Sequence, residues 1–448
     1  MKIKRILIHF CLLGAVLLSG FTGGAQTVTR IAGGNTHSLF LKSDGSLWGM
    51  GYNYYGSLGD GTCNQTNWPE RIITNGVTAI AAGQEYSLLL KSDGSLWAMG
   101  DNFIGQLGDG TFNCTNRPEL IVTNGVTAIA VGIGHSLFLK NDGSLWAMGS
   151  SHWGQLGDGT TGTTNRPELI VTNGVTAIAA GGDHSLFLMT NGSLWVTGDN
   201  TSGELGDGTL KNTNRFEMIV TNGVTAIAGG SGHSLFLKSD GSLWGMGGNY
   251  YGQLGDGSLN QTNLPELIVT NGVTMIAAGA EHSLFVKTDG SLWVMGYNYH
   301  GQLGDGTFIQ TNRPERIVTN GVIAIAAGSY HSLFLKNDGS LWGMGKNDLG
   351  WLGDGTLNNT NRPEQIVAGV SVPAGYNQLS LQLLSGGAAR LSFVGMTATN
   401  YALDRTFQLS PANWVPQVTN PAGAGGVLWF TNTPDPAMNN FWRVRSVP

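Results

Sequence analysis

Charge is scarce in this 448-residue chain: Asp, Glu, Lys and Arg together make up 12% of it, about half of the ~25% usual in soluble domains. The shortage is not that of a disordered chain, because hydrophobic residues stand at 41% and leave ample surface to bury. Cysteine is almost missing. Of three residues, Cys11 lies in an apolar run near the start, so Cys63 and Cys114 are the only pair open to a bridge. Their spacing of 51 sets them at non-equivalent points of the repeat described below, and a disulfide needs Cα atoms within ~7 Å. No G-x-x-x-x-G-K-[ST] segment occurs, which removes the common phosphate loop. A nucleophile with its base is lacking too, since pairs such as His233-Ser234 are neighbours on an expected strand and point to opposite faces.

What is present is one phrase written seven times. H-S-L-F-L-K-x-D-G-S-L-W recurs so evenly that its tryptophans fall at Trp48, Trp97, Trp146, Trp195, Trp244, Trp293 and Trp342, each 49 residues after the last. A glycine-rich unit of this length, unable to bury its apolar surface alone, marks a propeller or solenoid. In the sixth copy, 273–279 and 282–287 read as two strands, Asp289-Gly290 as a hairpin turn, 292–295 as a third strand and 314–318 as a fourth. Four strands make a blade. The unalternating triplet Leu284-Phe285-Val286 implies burial on both sheet faces, as in blades sandwiched between blades. The recurrent tryptophans are read as anchors of the ring.

The chain opens with Lys2, Lys4 and Arg5, then an apolar stretch from Ile6 to Leu18, then Gly23-Gly24-Ala25. That order predicts a signal peptide over 1–25 and a secreted product, periplasmic, extracellular or at the cell surface, with no membrane span in its mature form. Loss of the three cations takes the formal charge from −6 to −9. From Ala368 onward four arginines face two aspartates, which leaves the repeats near −11. A surface of that sign repels phosphate backbones, so nucleic acid is not expected as a partner.

The pattern A-G-x-x-H-S-L, G-x-L-W-x-M-G-x-N-x-x-G-Q-L-G-D-G and R-P-E-x-I-V, running from about Val28 to Val367, resembles the regulator of chromosome condensation repeat. The resemblance implies a seven-bladed β-propeller. Guanine-nucleotide exchange, the best-known activity of that family, fits badly with an exported chain whose uniform period leaves no room for an inserted wedge. Resemblance extends to a secreted bacterial member that inhibits β-lactamases by covering them with one propeller face. Fold alone does not assign function.

The expected architecture is therefore all-β, with a signal peptide at 1–25, a seven-bladed propeller at 26–367 and a small β-sandwich-like module at 368–448. Alternating runs such as Leu379–Leu383, Arg390–Val394 and Phe441–Val444 carry the last of these. The module is similar to a short C-terminal β-module of large secreted bacterial proteins, and anchoring, sugar binding and capping of the ring remain open for it.

The histidines His37, His135, His184, His233, His282 and His331, replaced by Tyr86 in the second copy, invite a metal. Equivalent positions on separate blades are not expected to converge to ~2 Å ligation, and a structural hydrogen bond in the first loop is the better reading. The L-G-D-G aspartates offer one carboxylate per loop, suited to turn stabilisation rather than to calcium. No metal, cofactor or catalytic residue is expected. Loops after strands one and three should share a face, and these are the segments in which the copies differ. Tyr54, Tyr55, Phe103, Trp153, Tyr250, Tyr251, Tyr299, His300 and Tyr330 lie there and are predicted to bind a partner. The expected function is that of a secreted, monomeric, non-enzymatic scaffold for a protein or cell-surface macromolecule. A cell-surface adhesive or structural module, or a hydrolase or lyase in the central channel, is the alternative.

Overall fold

The computed structural model of the chain describes residues 26–369 and, beyond them, the backbone of six strands between 379 and 447. The segment expected to be a signal peptide lies outside the described residues. Among those described, no helix is long and apolar enough to cross a membrane. The chain divides into a propeller unit, Thr27–Gly369, and a second unit that contains the C-terminal strands.

Strands β1 (Val28–Gly33), β2 (His37–Lys42), β3 (Leu47–Gly51) and β4 (Thr66–Ile73) form an antiparallel sheet in chain order. Six further four-stranded sheets repeat this arrangement, the last ending with Thr360–Val367. The sequence places the first three strands of a blade to within a residue. The fourth begins earlier than expected, at Thr311 rather than Pro314 in the sixth blade, because Thr311 pairs with Gly296 beyond a register shift. Pro314 is tolerated inside it since this strand pairs on one side only.

In β2 every residue except Lys42 is buried, as expected for a strand flanked by sheet partners and covered by blades on both faces. The core lies between blades. Leu39, Leu41, Leu47 and Leu58 of the first blade enclose Leu89 and Met99 of the second, with Trp97 packed against them. Each such buried side chain contributes at most about 1.5–3 kcal/mol. The tryptophans are structural but only partly buried. Trp48 stacks on Phe40 at 6.0 Å, donates from Nε1 to Ser46 Oγ at 2.9 Å, and carries Lys42 Nζ 3.9 Å from its ring centroid.

The ring closes without exchanging a strand, since the seventh blade takes all four of its strands from 322–367. Val28, Phe40 and Met50 pack instead on Leu333, Leu335, Leu341 and Leu352. Thr27 O accepts from Ser43 N at 2.8 Å, the part that Gly76 O plays for Ser92 N at 2.9 Å.

In the second unit, Leu379–Leu383, Ala389–Val394 and Val427–Asn432 form one three-stranded antiparallel sheet. Val415–Pro421, Asn400–Thr406 and Phe441–Val447 form another, with Asn400–Thr406 central. The side chains of the expected sandwich-like module lie outside the described residues.

Candidate functional site

The first and third loops of every blade meet, and a backbone bond fixes how. The residue after the third strand donates its N–H to the carbonyl of the residue before the buried His or Tyr: Tyr52 to Thr36 at 2.9 Å, Asp101 to Glu85 at 2.8 Å, Tyr297 to Glu281 at 2.8 Å. The turns of the other face are joined separately, as by Val77 N to Gly45 O at 3.0 Å. Variable loops thus share one face and near-constant turns the other.

Beneath the variable loops runs a circle of inter-blade clasps. His37 Nε2 lies 2.8 Å from Ser87 Oγ, and the same bond joins His135 to Ser185, His184 to Ser234, His233 to Ser283, His282 to Ser332 and His331 to Ser38. Each of these serines also donates its hydroxyl to a loop carbonyl of the preceding blade, Ser87 to Ser57 O at 2.8 Å for example. The hydroxyl hydrogen is committed to that carbonyl, so Nε2 carries the imidazole hydrogen and donates. Between the second and third blades Tyr86 donates instead to His135 O at 2.6 Å, and Ser136 Oγ lies 3.1 Å from the Tyr86 hydroxyl. Burial holds the six imidazoles at about 3 or 4, and their Nδ1 atoms have no partner. The expected structural hydrogen bond is present. Its acceptor lies not in the first loop but on the neighbouring blade, the serine 50 residues on or, for His331, Ser38 of the first blade.

The L-G-D-G aspartates close their own loops. Asp60 Oδ1 accepts from Thr62 N at 2.8 Å and from Asn53 Nδ2 at 3.1 Å. No group of three or more His, Cys, Asp or Glu among the described residues is placed to hold a metal. Cys63 and Cys114 are both free thiols.

At the axis, first loops converge on a cavity of about 90 Å³ lined by Gly, Ala, Val, Ile, Asn, Gln and Ser, with no titratable side chain. Small-molecule sites usually span ~300–1,000 Å³.

The predicted contact residues all lie on the variable face, and the structure gathers most of them into two groups. Tyr54 meets Tyr55 edge-on at 5.0 Å and Tyr55 meets Phe103 at 5.6 Å. Tyr299 meets His300 at 5.4 Å and His300 meets Tyr330 at 5.2 Å. Tyr251 joins the second group through Tyr297 at 4.7 Å. Trp153 is exposed between the two groups, and exposed Tyr250 donates its hydroxyl to Gln261 Oε1 at 2.6 Å. Tyr299 at 70% and Tyr54 and Phe103 at 63% are the most exposed of the set.

Sequence reasoning missed Tyr52 and Tyr297. Tyr297 is the hub of the second group, 6.4 Å from Tyr299 and 6.0 Å from Tyr330, and Tyr52 stacks on Tyr54 at 6.3 Å. The signal was available: in G-x-N the middle position reads Tyr52, Asp101, Ser150, Asp199, Gly248, Tyr297 and Lys346 around the ring, so it varies as much as the loops chosen.

Fold, clasps and a variable rim define a propeller of seven repeats of the regulator of chromosome condensation type. The chain belongs to the RCC1-like domain family, whose profile matches residues 15–318, and the RCC1 repeat matches again at 322–350. Human WBSCR16 is similar in structure, with 25% identity, 72% of this chain and 93% of that one covered, and a TM-score of 0.64. Prp20p of Saccharomyces cerevisiae, studied with its binding to Gsp1p and histones, gives 23% identity, 70% and 84% coverage and a TM-score of 0.62. Yeast RCC1 bound to Kap60 gives 22%, 67%, 78% and 0.60. No curated protein sequence matches the chain.

Proposed function

We propose that this chain is an exported, monomeric, non-enzymatic scaffold that takes a protein partner on the face made by its first and third loops. One observation carries the reading. Blades that are otherwise near-copies differ in these loops, and there the exposed rings of Tyr54, Phe103, Trp153, Tyr250 and Tyr299 stand. Aromatic side chains of this kind supply most interface hot spots. Support comes also from the solved relatives, since yeast Prp20p is described with Gsp1p and histones and yeast RCC1 with Kap60. The basic, apolar and small-residue order of 1–25 supports export, and the acidic repeats favour protein over nucleic acid.

The test is capture of a partner from material outside the cell by the mature protein, followed by titration of single variants. Trp153→Ala, Tyr251→Ala and Tyr299→Ala are each expected to weaken binding by about 2 kcal/mol, close to thirtyfold, without lowering the melting temperature. Unchanged affinity in all three, with losses on substitution in the Lys-x-Asp-Gly turns, would place the interface on the other face.

A further inference from the structure

The variable face has a second pattern, which appears only when side chains are sorted by the blade boundary they occupy. In N-x-x-G the second variable residue of one blade leans on the residue before the buried His of the next. Ile104 Cδ1 fills the space that a Cβ on Gly134 would enter, Ser202 Oγ lies 3.6 Å from the corresponding point of Gly232, and His300 packs on Tyr330 at 5.2 Å. The backbone bond from the G-x-N residue adds a third member to each boundary.

Read in this way five of the seven boundaries alternate, the other two being His300, Tyr330 and Lys346, and Leu349, Thr36 and Tyr52, with rings and no carboxylate. The first and second blades bring together Tyr55, Glu85 and Asp101; the third and fourth Trp153, Asp183 and Asp199; the fifth and sixth Tyr251, Glu281 and Tyr297. Between them stand Ile104, Gly134 and Ser150, and then Ser202, Gly232 and Gly248, with neither charge nor ring. Each of the Tyr55, Trp153 and Tyr251 boundaries gathers an aromatic residue and a carboxylate into one loop cluster, and at the second of them Gln155 links the two, accepting from Trp153 N at 3.0 Å and donating to Asp183 Oδ1 at 3.0 Å. The only ion pair among the described residues is Lys346 with Asp348, so none of these carboxylates is in an ion pair; Asp101 accepts from Gln106 Nε2 at 3.0 Å, Asp183 from Gln155 Nε2 at 3.0 Å and Asp199 from Thr201 Oγ1 at 3.1 Å. Burial raises Glu85, Asp183 and Glu281, with further raising of Glu85 by Asp101 and of Asp183 by Asp199, and His152 acting the other way on Asp183. Like charges held side by side and partly withdrawn from water are destabilising until a cation meets them, and a ring face beside a carboxylate attracts the same cation.

We propose that these three alternate boundaries are cation-receiving sites that take lysine or arginine side chains of a basic protein partner, one side chain to each. The proposal rests on the variable face being the binding face and adds the chemistry of what binds there. Acid without an ion-pair partner, beside a ring that is exposed at Trp153 and half-buried at Tyr55 and Tyr251, selects a positively charged occupant, and three separated sites on one rim select a polypeptide that can present several cations at once.

The experiment uses the mature full chain and acetylated hexalysine as probe, with hexaglutamate as its opposite, followed by calorimetry and by shifts of labelled tyrosine and tryptophan rings. Hexalysine is expected to bind and to move Tyr55, Trp153 and Tyr251. The triple variant Glu85→Gln, Asp183→Asn, Glu281→Gln should lose at least tenfold in affinity. A control that removes the same charge from the other face, Asp93→Asn, Asp142→Asn, Asp289→Asn, should stay within twofold of the parent. Equal losses in both triples would reduce the effect to net charge and overturn the sites. So would absence of hexalysine binding, or binding no stronger than that of hexaglutamate. Spermine binding as tightly as hexalysine and losing equally in the first triple would assign the sites to free polyamines instead. Any of these results, alongside loss of partner binding in Tyr299→Ala, would sink the cation assignment and leave the face assignment standing.

Discussion

A buried imidazole that donates to the next blade and has nothing on its other nitrogen must stay neutral, and six of them make the ring a sensor of acid. In the folded protein they sit at about 3 or 4, against 6.5 for an ordinary histidine. Below pH 6.5 the unfolded chain therefore binds more protons than the folded one, and stability falls as pH falls. The contribution is complete above about pH 6.5 and is lost progressively down to the folded values. Each histidine costs at most about 1.4 kcal/mol per pH unit, in the middle of that window, so six give at most roughly 8 per unit. Glu204, raised to about 7 first by burial and then by Asp199, opposes this, as do Glu85, Asp183 and Glu281, four carboxylates against six imidazoles. Urea midpoints are expected to be flat from pH 8 to 7 and to drop steeply between 6 and 4.5, with a shallower slope in His184→Gln. A midpoint that holds to pH 4.5 would contradict the neutral clasp. Sequence alone reaches the hydrogen bond but not its partner. On one strand His233 and Ser234 point apart, and only packing of blade on blade brings His233 to Ser283.

At the scale of the loop, glycine before the buried His is dictated by how closely blades approach. A Cβ on Gly132 would stand 2.5 Å from Gly181 O and 2.6 Å from His135 Nδ1. Neither neighbour can retreat, because the carbonyl belongs to the next blade's loop and the imidazole is clasped to Ser185 at 2.9 Å. Gly132→Ala is expected to destabilise the ring by about 1–3 kcal/mol, measured by denaturant titration, whereas Gly76→Ala meets no neighbouring atom and pays only for its positive φ of 82°. Strand existence and loop parity were legible because a fixed period, with the same turn signals bounding short apolar runs in every copy, leaves little freedom. The grouping of Tyr52 with Tyr54, or of Tyr297 with Tyr251 and Tyr330, was not, since it depends on the angle at which successive blades present their loops.

The whole ring closes at the point where any two blades join. Thr27 holds the place of the glycine in the Asn-Gly links, next to Gly339, and Gly369 lies against Asp338 of the same turn. The ends of the propeller unit are therefore close together, and a chain joined from Gly369 to Thr27 and opened between Asn222 and Gly223 is expected to fold to the same ring. Circular dichroism and a single cooperative melt within a few degrees of the parent would check it; an insoluble or molten product would show that the present termini matter to closure.

Seamless closure also sets a problem of rotational register. To a partner arriving along the axis, a scaffold of seven equal blades looks the same after every seventh of a turn, so contacts with the repeated backbone alone allow seven equivalent poses. That degeneracy amounts to RT ln 7, about 1 kcal/mol, and a single hot-spot side chain can outweigh it. The contrast between Trp153 at one boundary and Ser202 at the next is of that size, enough to give an otherwise sevenfold ring one preferred orientation.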